Sequence, residues 1–247
     1  NLFKKFNEKI AINGLSFEVR PGEAFGLLGG NGAGKTTTIR SILGLIQFDG
    51  GQIKYLKEDI RKKKPRIGYL PEERGLYPKE KVSTQLVYLA ELEGMKKSEA
   101  KKALDYWLSK LDILQYKEKR VEELSKGNQQ KVQIASTLLH DPELIILDEP
   151  FSGLDPVNSD LLSSIVQELI QNGKMVIFCS HQMNHVEKFC ERVCIMKNGH
   201  TLLSGKIKDL KREFRESNVL IQTESNLGKL LADHPYISHI EKKACEP

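Results

Sequence analysis

Residues 29–36 read Gly-Gly-Asn-Gly-Ala-Gly-Lys-Thr, a G-x-x-x-x-G-K-[ST] loop. It follows the apolar run Ala24-Phe25-Gly26-Leu27-Leu28 and precedes Thr37, Thr38, Ile39, Ile42 and Leu43, which are spaced as a helix would space them. A strand, a glycine loop and a helix in that order form a cradle for phosphates. Backbone N–H groups from Asn31, Gly32, Ala33 and Gly34 onward converge on an anion, and the helix N-terminus adds partial positive charge. Lys35 is expected at the β- and γ-phosphates. The Thr36 hydroxyl is expected to hold Mg²⁺, with Thr37 next along the phosphates. Glycine is required because side chains would block the backbone's approach and forbid positive φ. The ligand implied is a nucleoside triphosphate.

The 247 residues are 39% hydrophobic and 29% charged, which suits one large domain or a domain with a small appendage. The apolar runs near Leu144–Leu147 and Met175–Cys179 have strand length, far from the ~18 residues that a membrane span needs. The chain is therefore not expected to cross a bilayer itself. Net charge is +5, and the densest basic run is Arg61, Lys62, Lys63, Lys64 and Arg66, without interleaved aromatics. That reads as a solvated loop, and no nucleic-acid partner is expected. Cys179, Cys190, Cys194 and Cys245 form no C-x-x-C or Cys/His ligand pattern, so reduced thiols are expected.

Period-two alternation from Ile10 to Val19 predicts one or two strands closed at Pro21-Gly22. Between Val82 and Gly127 the apolar spacing turns helical, with Ser98 as an expected N-cap and Trp107 as a packing residue. Alternating strands and helices then resume. Asp155-Pro156 predicts an N-cap followed by proline at the first helical position. Asn198-Gly199 predicts a two-residue hairpin. Strand–helix alternation implies an α/β fold whose mainly parallel sheet carries ligands at its carboxyl edge.

Leu144-Ile145-Ile146-Leu147-Asp148-Glu149 is an apolar strand ending in two carboxylates. Asp148 is expected on a strand beside the phosphate-loop strand, as a metal ligand. Glu149 is expected to polarise the attacking water as general base. Ser180-His181 ends the next strand, where His181 can donate to a γ-phosphate. His140, His185 and His200 read as capping or solvent-facing.

The ordered set of phosphate loop, Leu124-Ser125-Lys126-Gly127-Asn128 at a helix start, Asp148-Glu149-Pro150, Ser152-Gly153-Leu154-Asp155 and Ser180-His181 resembles the ATP-binding-cassette ATPases. The likeness runs from about residue 2 to 205 and implies a P-loop NTPase core. An N-terminal antiparallel β-subdomain, a helical subdomain inserted at about 78–129 and an accessory extension at 206–247 would complete it. The resemblance implies ATP and Mg²⁺ as ligands. It places Ser125 and Gly127 on the nucleotide of an opposing subunit, Asp155 at the dimer junction and Phe6 against adenine. Glu72 stands where the family usually has a metal-contacting Gln, and could sit further out. Lys126 and Asn128 also depart from the usual signature, and Gly30 stands where many members have Pro.

The runs Leu70–Tyr77 and Leu124–Lys131 look most like bacterial ATPases paired with separate ABC-2-type permeases, such as sodium- and drug-exporting systems. That implies a second copy or paralogue, a polytopic membrane permease, and a cytoplasmic place on the inner face of the membrane. A single-cassette ATPase in a non-transport role, such as cofactor assembly, is the competing reading. A slow binding module is disfavoured by Glu149 and His181, and a GTPase by the lack of an Asn-Lys-x-Asp motif.

Overall fold

The computed structural model describes residues 1–73 and 75–213. Residues 1–211 form one compact unit. Most of the extension expected at 206–247, with Cys245, lies outside the described residues.

The chain starts with strands β1 (Leu2–Phe6) and β2 (Lys9–Leu15), then β3 (Ala24–Leu28), which runs into the phosphate loop and helix α1 (Lys35–Leu43). A small hairpin of β4 (Lys54–Tyr55) and β5 (Glu58–Asp59) precedes β6 (Ile67–Leu70). Helices α2 (Val82–Leu92) and α3 (Lys97–Lys110) follow, then two short 3₁₀ turns and α4 (Lys126–Leu138). The remainder is β7 (Leu144–Asp148), α5 (Pro156–Gln171), β8 (Met175–Ser180), α6 (Met183–Glu187), β9 (Arg192–Lys197), β10 (His200–Lys206) and α7 (Ile207–Glu213).

Eight strands form one mixed sheet in the order β1-β2-β10-β9-β3-β8-β7-β6. The half from β9 through β3, β8 and β7 to β6 is parallel, while β1/β2 and β9/β10 pair antiparallel. The α/β class, the mainly parallel core and the antiparallel N-terminal strands match expectation. One expectation is corrected. β7, which carries Asp148, does not lie beside β3, because β8 pairs with both and separates them. Chain order does not dictate the order of parallel strands, since each crossover helix can return the chain to either side.

The central strands are continuously apolar because both sheet faces are covered. Along β7, Ile145 and Leu147 join the core under α2–α5, while Leu144 and Ile146 join the core on the α1 face. β8 splits the same way, Val176 and Phe178 to one side and Ile177 and Cys179 to the other. Trp107 is partly buried against the helical-side core, as expected. Ser98 is not the cap of α3. It lies inside the helix, whose first turn is closed by the Glu99 carboxylate accepting from Lys96 N–H at 3.4 Å. A carboxylate three residues in satisfies the same orphan donor that a serine cap would.

Candidate nucleotide site

The phosphate loop leaves β3 at Gly29, whose N–H donates to the Ser180 carbonyl at 3.3 Å. Gly32 has φ 76° and Gly34 φ 110°, backbone that side chains rarely adopt. A Cβ on Gly34 would also stand 2.5 Å from the Ala11 carbonyl oxygen. Gly30 has open space around it, which fits its being the exchangeable glycine of the loop. The Lys35 ammonium folds back under the loop and donates to the Gly29 carbonyl, with Gly30 O at 3.4 Å. Only 8% of Lys35 is exposed. A lysine held on carbonyls beneath a ring of amides is poised for a polyphosphate.

The loop rests on a second support. The β9–β10 turn has Asn198 at φ 51° and Gly199 at φ 81°, the hairpin predicted from that dipeptide. Gly199 N–H donates to the Ala33 carbonyl at 3.0 Å, and Gly199 O accepts from Asn13 N–H at 2.8 Å. The turn therefore ties the loop to β2.

An open cleft of about 250 Å³ collects most of the expected residues. It is lined by the loop from Gly30 to Thr37, by Phe6, Lys9 and Ala11 of β1 and β2, and by Glu72, Asp148 and Glu149 after β6 and at β7, which lie on the other side of β3 in the sheet order. Phe6 is 45% exposed, and the Lys4 ammonium lies 4.9 Å from its ring centroid. Lys9 and Ala11 were missed by sequence reasoning. Their signal was their position on the strand that pairs with the one carrying Phe6.

Asp148 is buried at the tip of β7. Burial first, and the Glu72 charge second, push its carboxyl up to about 6, with Lys35 opposing. Glu72 is exposed but lines the cleft, so it does not sit further out. Its loop is tied down by Gln133 of α4, whose amide donates to Pro71 O at 3.3 Å and Glu73 O at 3.2 Å. Glu149 follows with φ 48°, strained for a non-glycine residue. Its N–H reaches the Cys179 carbonyl at 2.9 Å. Its carboxylate accepts from Ser180 Oγ at 2.9 Å and from His181 N–H at 2.7 Å, with His181 Nδ1 also at 2.7 Å. Ser180 is thus a partner of Glu149, a role not foreseen. His181 braces Glu149 and does not itself line the cleft.

Among the described residues no cluster of three His, Cys, Asp or Glu side chains forms a metal cage. A buried Asp148 that resists ionisation beside a second carboxylate still fits a cation site, since positive charge is what the pair lacks. Mg²⁺ commonly takes one or two protein oxygens and completes its shell with phosphate and water. Asp148, Thr36 and Glu72 can supply those oxygens.

Three expected residues lie elsewhere. Ser125 caps α4, its Oγ accepting from Asn128 N–H at 3.3 Å. Gly127 follows in the first turn, where an added Cβ would stand 3.5 Å from Asn158 Nδ2. Asp155 caps α5 and accepts from Asn158 N–H at 2.9 Å, a bond that holds its carboxyl below the usual range. None of the three lines the cleft. The solvent-facing expectation is corrected for His140, which is buried, its Nε2 3.2 Å from the Ile67 carbonyl.

A glycine-cradled lysine below a carboxylate pair defines a P-loop nucleoside-triphosphate site. Residues 12–152 match the family described as ABC transporter. The chain belongs to the ABC transporter family as an ATP-binding subunit, and so binds and hydrolyses ATP. It is 51% identical over 232 residues, 94% of this chain and 78% of the relative, to the uncharacterized ABC transporter ATP-binding protein YhaQ of Bacillus subtilis (strain 168). It is 35% identical over 206 residues, 82% of this chain and 68% of the relative, to the Nod factor export ATP-binding protein I of Paraburkholderia xenovorans (strain LB400). A solved ATP-binding subunit of an ABC transporter superposes with TM-score 0.79 at 29% identity, covering 86% of this chain and 90% of that one. Among the described residues no helix is long and apolar enough to cross a membrane.

Proposed function

We propose that this chain powers a separately encoded membrane permease, most simply an exporter, from the inner face of the membrane. Residues 1–205 serve as the nucleotide-binding domain. The observation that carries the reading is the division of the site. The phosphate loop and the carboxylates meet in one cleft, whereas Ser125, Gly127 and Asp155 stand outside it. The first turn of α4 offers free amides to an anion that its own chain does not bring to it. A second copy or a paralogue, turned head to tail, supplies the missing face. The export direction draws on the name of the Nod factor export relative.

Lys35 and the loop amides hold the β- and γ-phosphates, and Phe6 stacks on the base. Glu149 orients and deprotonates the attacking water. Ser180 and His181 fix its carboxylate, so little reorganisation is needed at the moment of attack. Mg²⁺, held by Thr36, Asp148 and Glu72, would supply charge neutralisation on the phosphates. ATP favours the closed pair through γ-phosphate contacts that ADP lacks, and closing and reopening drive the permease.

Lys35→Ala is the direct test. The variant is expected to keep its melting temperature and lose most ATP affinity in calorimetric titration. Unchanged ATP binding overturns the assignment of the cleft. For transport, affinity purification from membranes is expected to bring a polytopic protein with this chain, and its absence favours a non-transport role.

A further inference from the structure

We propose that Lys9 is a second cation of the nucleotide cleft, seated at the base end, where it pairs with the α-phosphate of a bound nucleoside di- or triphosphate. The inference rests on the assignment of the cleft to ATP and adds a contact to it. Among the described residues two lysines line the cleft, Lys9 and Lys35. Lys35 belongs to the loop, near enough to Asp148 for its charge to act on that carboxyl. Lys9 opens β2 directly across from Phe6 in the strand register.

Three lysines surround Phe6, and they are not equivalent. Lys4 is engaged by Asp49 at 3.0 Å and lies over the Phe6 ring. Lys5 pairs with Glu8 at 3.6 Å. Among the described residues Lys9 has neither an ion pair nor a side-chain hydrogen bond, and it alone of the three borders the cleft. Among the described residues the cleft's three acidic side chains, Glu72, Asp148 and Glu149, come at the ends of β6 and β7, on the other side of β3 from β2 in the sheet order. A triphosphate with its base on Phe6 and its β- and γ-phosphates on the loop leaves its α-phosphate on the Phe6 side. An unpaired ammonium there gains a charge-assisted bond without first breaking an ion pair, a gain set against the rotamer entropy the side chain loses.

Lys9 stands far along the ligand from Glu149, so the contact is a binding contact, made equally in the ground and transition states. Lys9→Gln is therefore expected to weaken ADP and ATP by the same factor, at least about threefold. KM for ATP rises by that factor while kcat holds, and the loss shrinks at high salt. Lys9→Arg is expected to retain affinity, because it keeps the charge. Lys9 is exposed on a strand end, so the variants should fold, which circular dichroism checks. Calorimetric titration with ADP and with ATP reads the outcome. A loss of less than about threefold for both nucleotides, or a fall in kcat without a rise in KM, overturns the role of Lys9. Lys35→Ala run alongside separates the two levels. If it loses ATP while Lys9→Gln does not, only this inference falls. If neither loses ATP, the assignment of the cleft itself falls.

Discussion

At the scale of single residues the site is organised by carboxylates under strain. Glu149 holds an unfavourable φ of 48°, and three donors from Ser180 and His181 converge on its side chain. Removing its charge while keeping its shape leaves the cleft intact and the water unactivated. Glu149→Gln is expected to bind ATP normally and to lose turnover by at least about 100-fold, the usual worth of a general base; full ATPase activity in a phosphate-release assay would remove Glu149 from that role. Asp148 makes a separate prediction. Its carboxyl titrates at about 6 in the fold, against 3.8 for an unperturbed group. The folded state thus holds this proton more tightly than the unfolded chain does. Stability is lost as pH rises from about 4 through 6, and the cost of ionised Asp148 is complete above pH ~7. Asp148→Asn should therefore stabilise nucleotide-free protein at pH 8 by about 3 kcal/mol, read as a melting temperature higher by several degrees. At pH 4 the two proteins should melt alike. A lower melting temperature for the variant at pH 8 would show that the carboxylate is stabilised, not strained, in the fold.

At the scale of elements, local signals were the legible ones. Asp155-Pro156 caps α5, Asn198-Gly199 turns β9 into β10, and the glycine loop sits between β3 and α1. Each of these depends on a backbone angle or a donor that only a few residue types satisfy. The position of β7 was not legible. Its buried, two-faced apolar run fits any interior place in a parallel sheet, and nothing local says that β8 comes between it and β3. The roles of Lys9 and Ser180 were hidden for a related reason, because each depends on which strand becomes its neighbour. The β9–β10 turn is the element whose sequence was read and whose purpose was not. Gly199 bonds both the phosphate loop and β2, and a Cβ there would stand 3.1 Å from the Ala11 and Ile10 carbonyl oxygens. Gly199→Ala should shift the turn and loosen the loop. We expect a loss of ATP affinity of about tenfold, with a fall in melting temperature of only a few degrees. Asn198→Gly, which keeps the positive φ, should bind ATP as the unmodified chain does. Equal affinity in both variants would mean that the loop holds its shape without the turn.

At the scale of the whole molecule, the proposed function divides the chain into two half-sites that serve different nucleotides. The cleft holds Lys35, Asp148 and Glu149, and the caps of α4 and α5 present Ser125, Gly127 and Asp155 elsewhere. The phosphate loop announced its half in sequence by its glycines. The other half was recognisable only through resemblance, since a serine cap and one glycine at a helix start are common features with many uses. If the halves belong to opposite subunits, two defects placed in different chains can complement each other. Lys35→Ala abolishes ATP binding at the cleft, and Ser125→Arg fills the space before α4 with a bulky cation. Each variant alone should be inactive. In an equal mixture half the dimers pair the two kinds of chain, and each such dimer joins one intact cleft to one intact α4 turn. The mixture should regain about a quarter of the unmodified ATPase activity if sites act independently and chains pair at random. Activity at the level of the single variants, with exchange of chains confirmed by pull-down of differently tagged copies, would mean that each cleft works without a partner's α4.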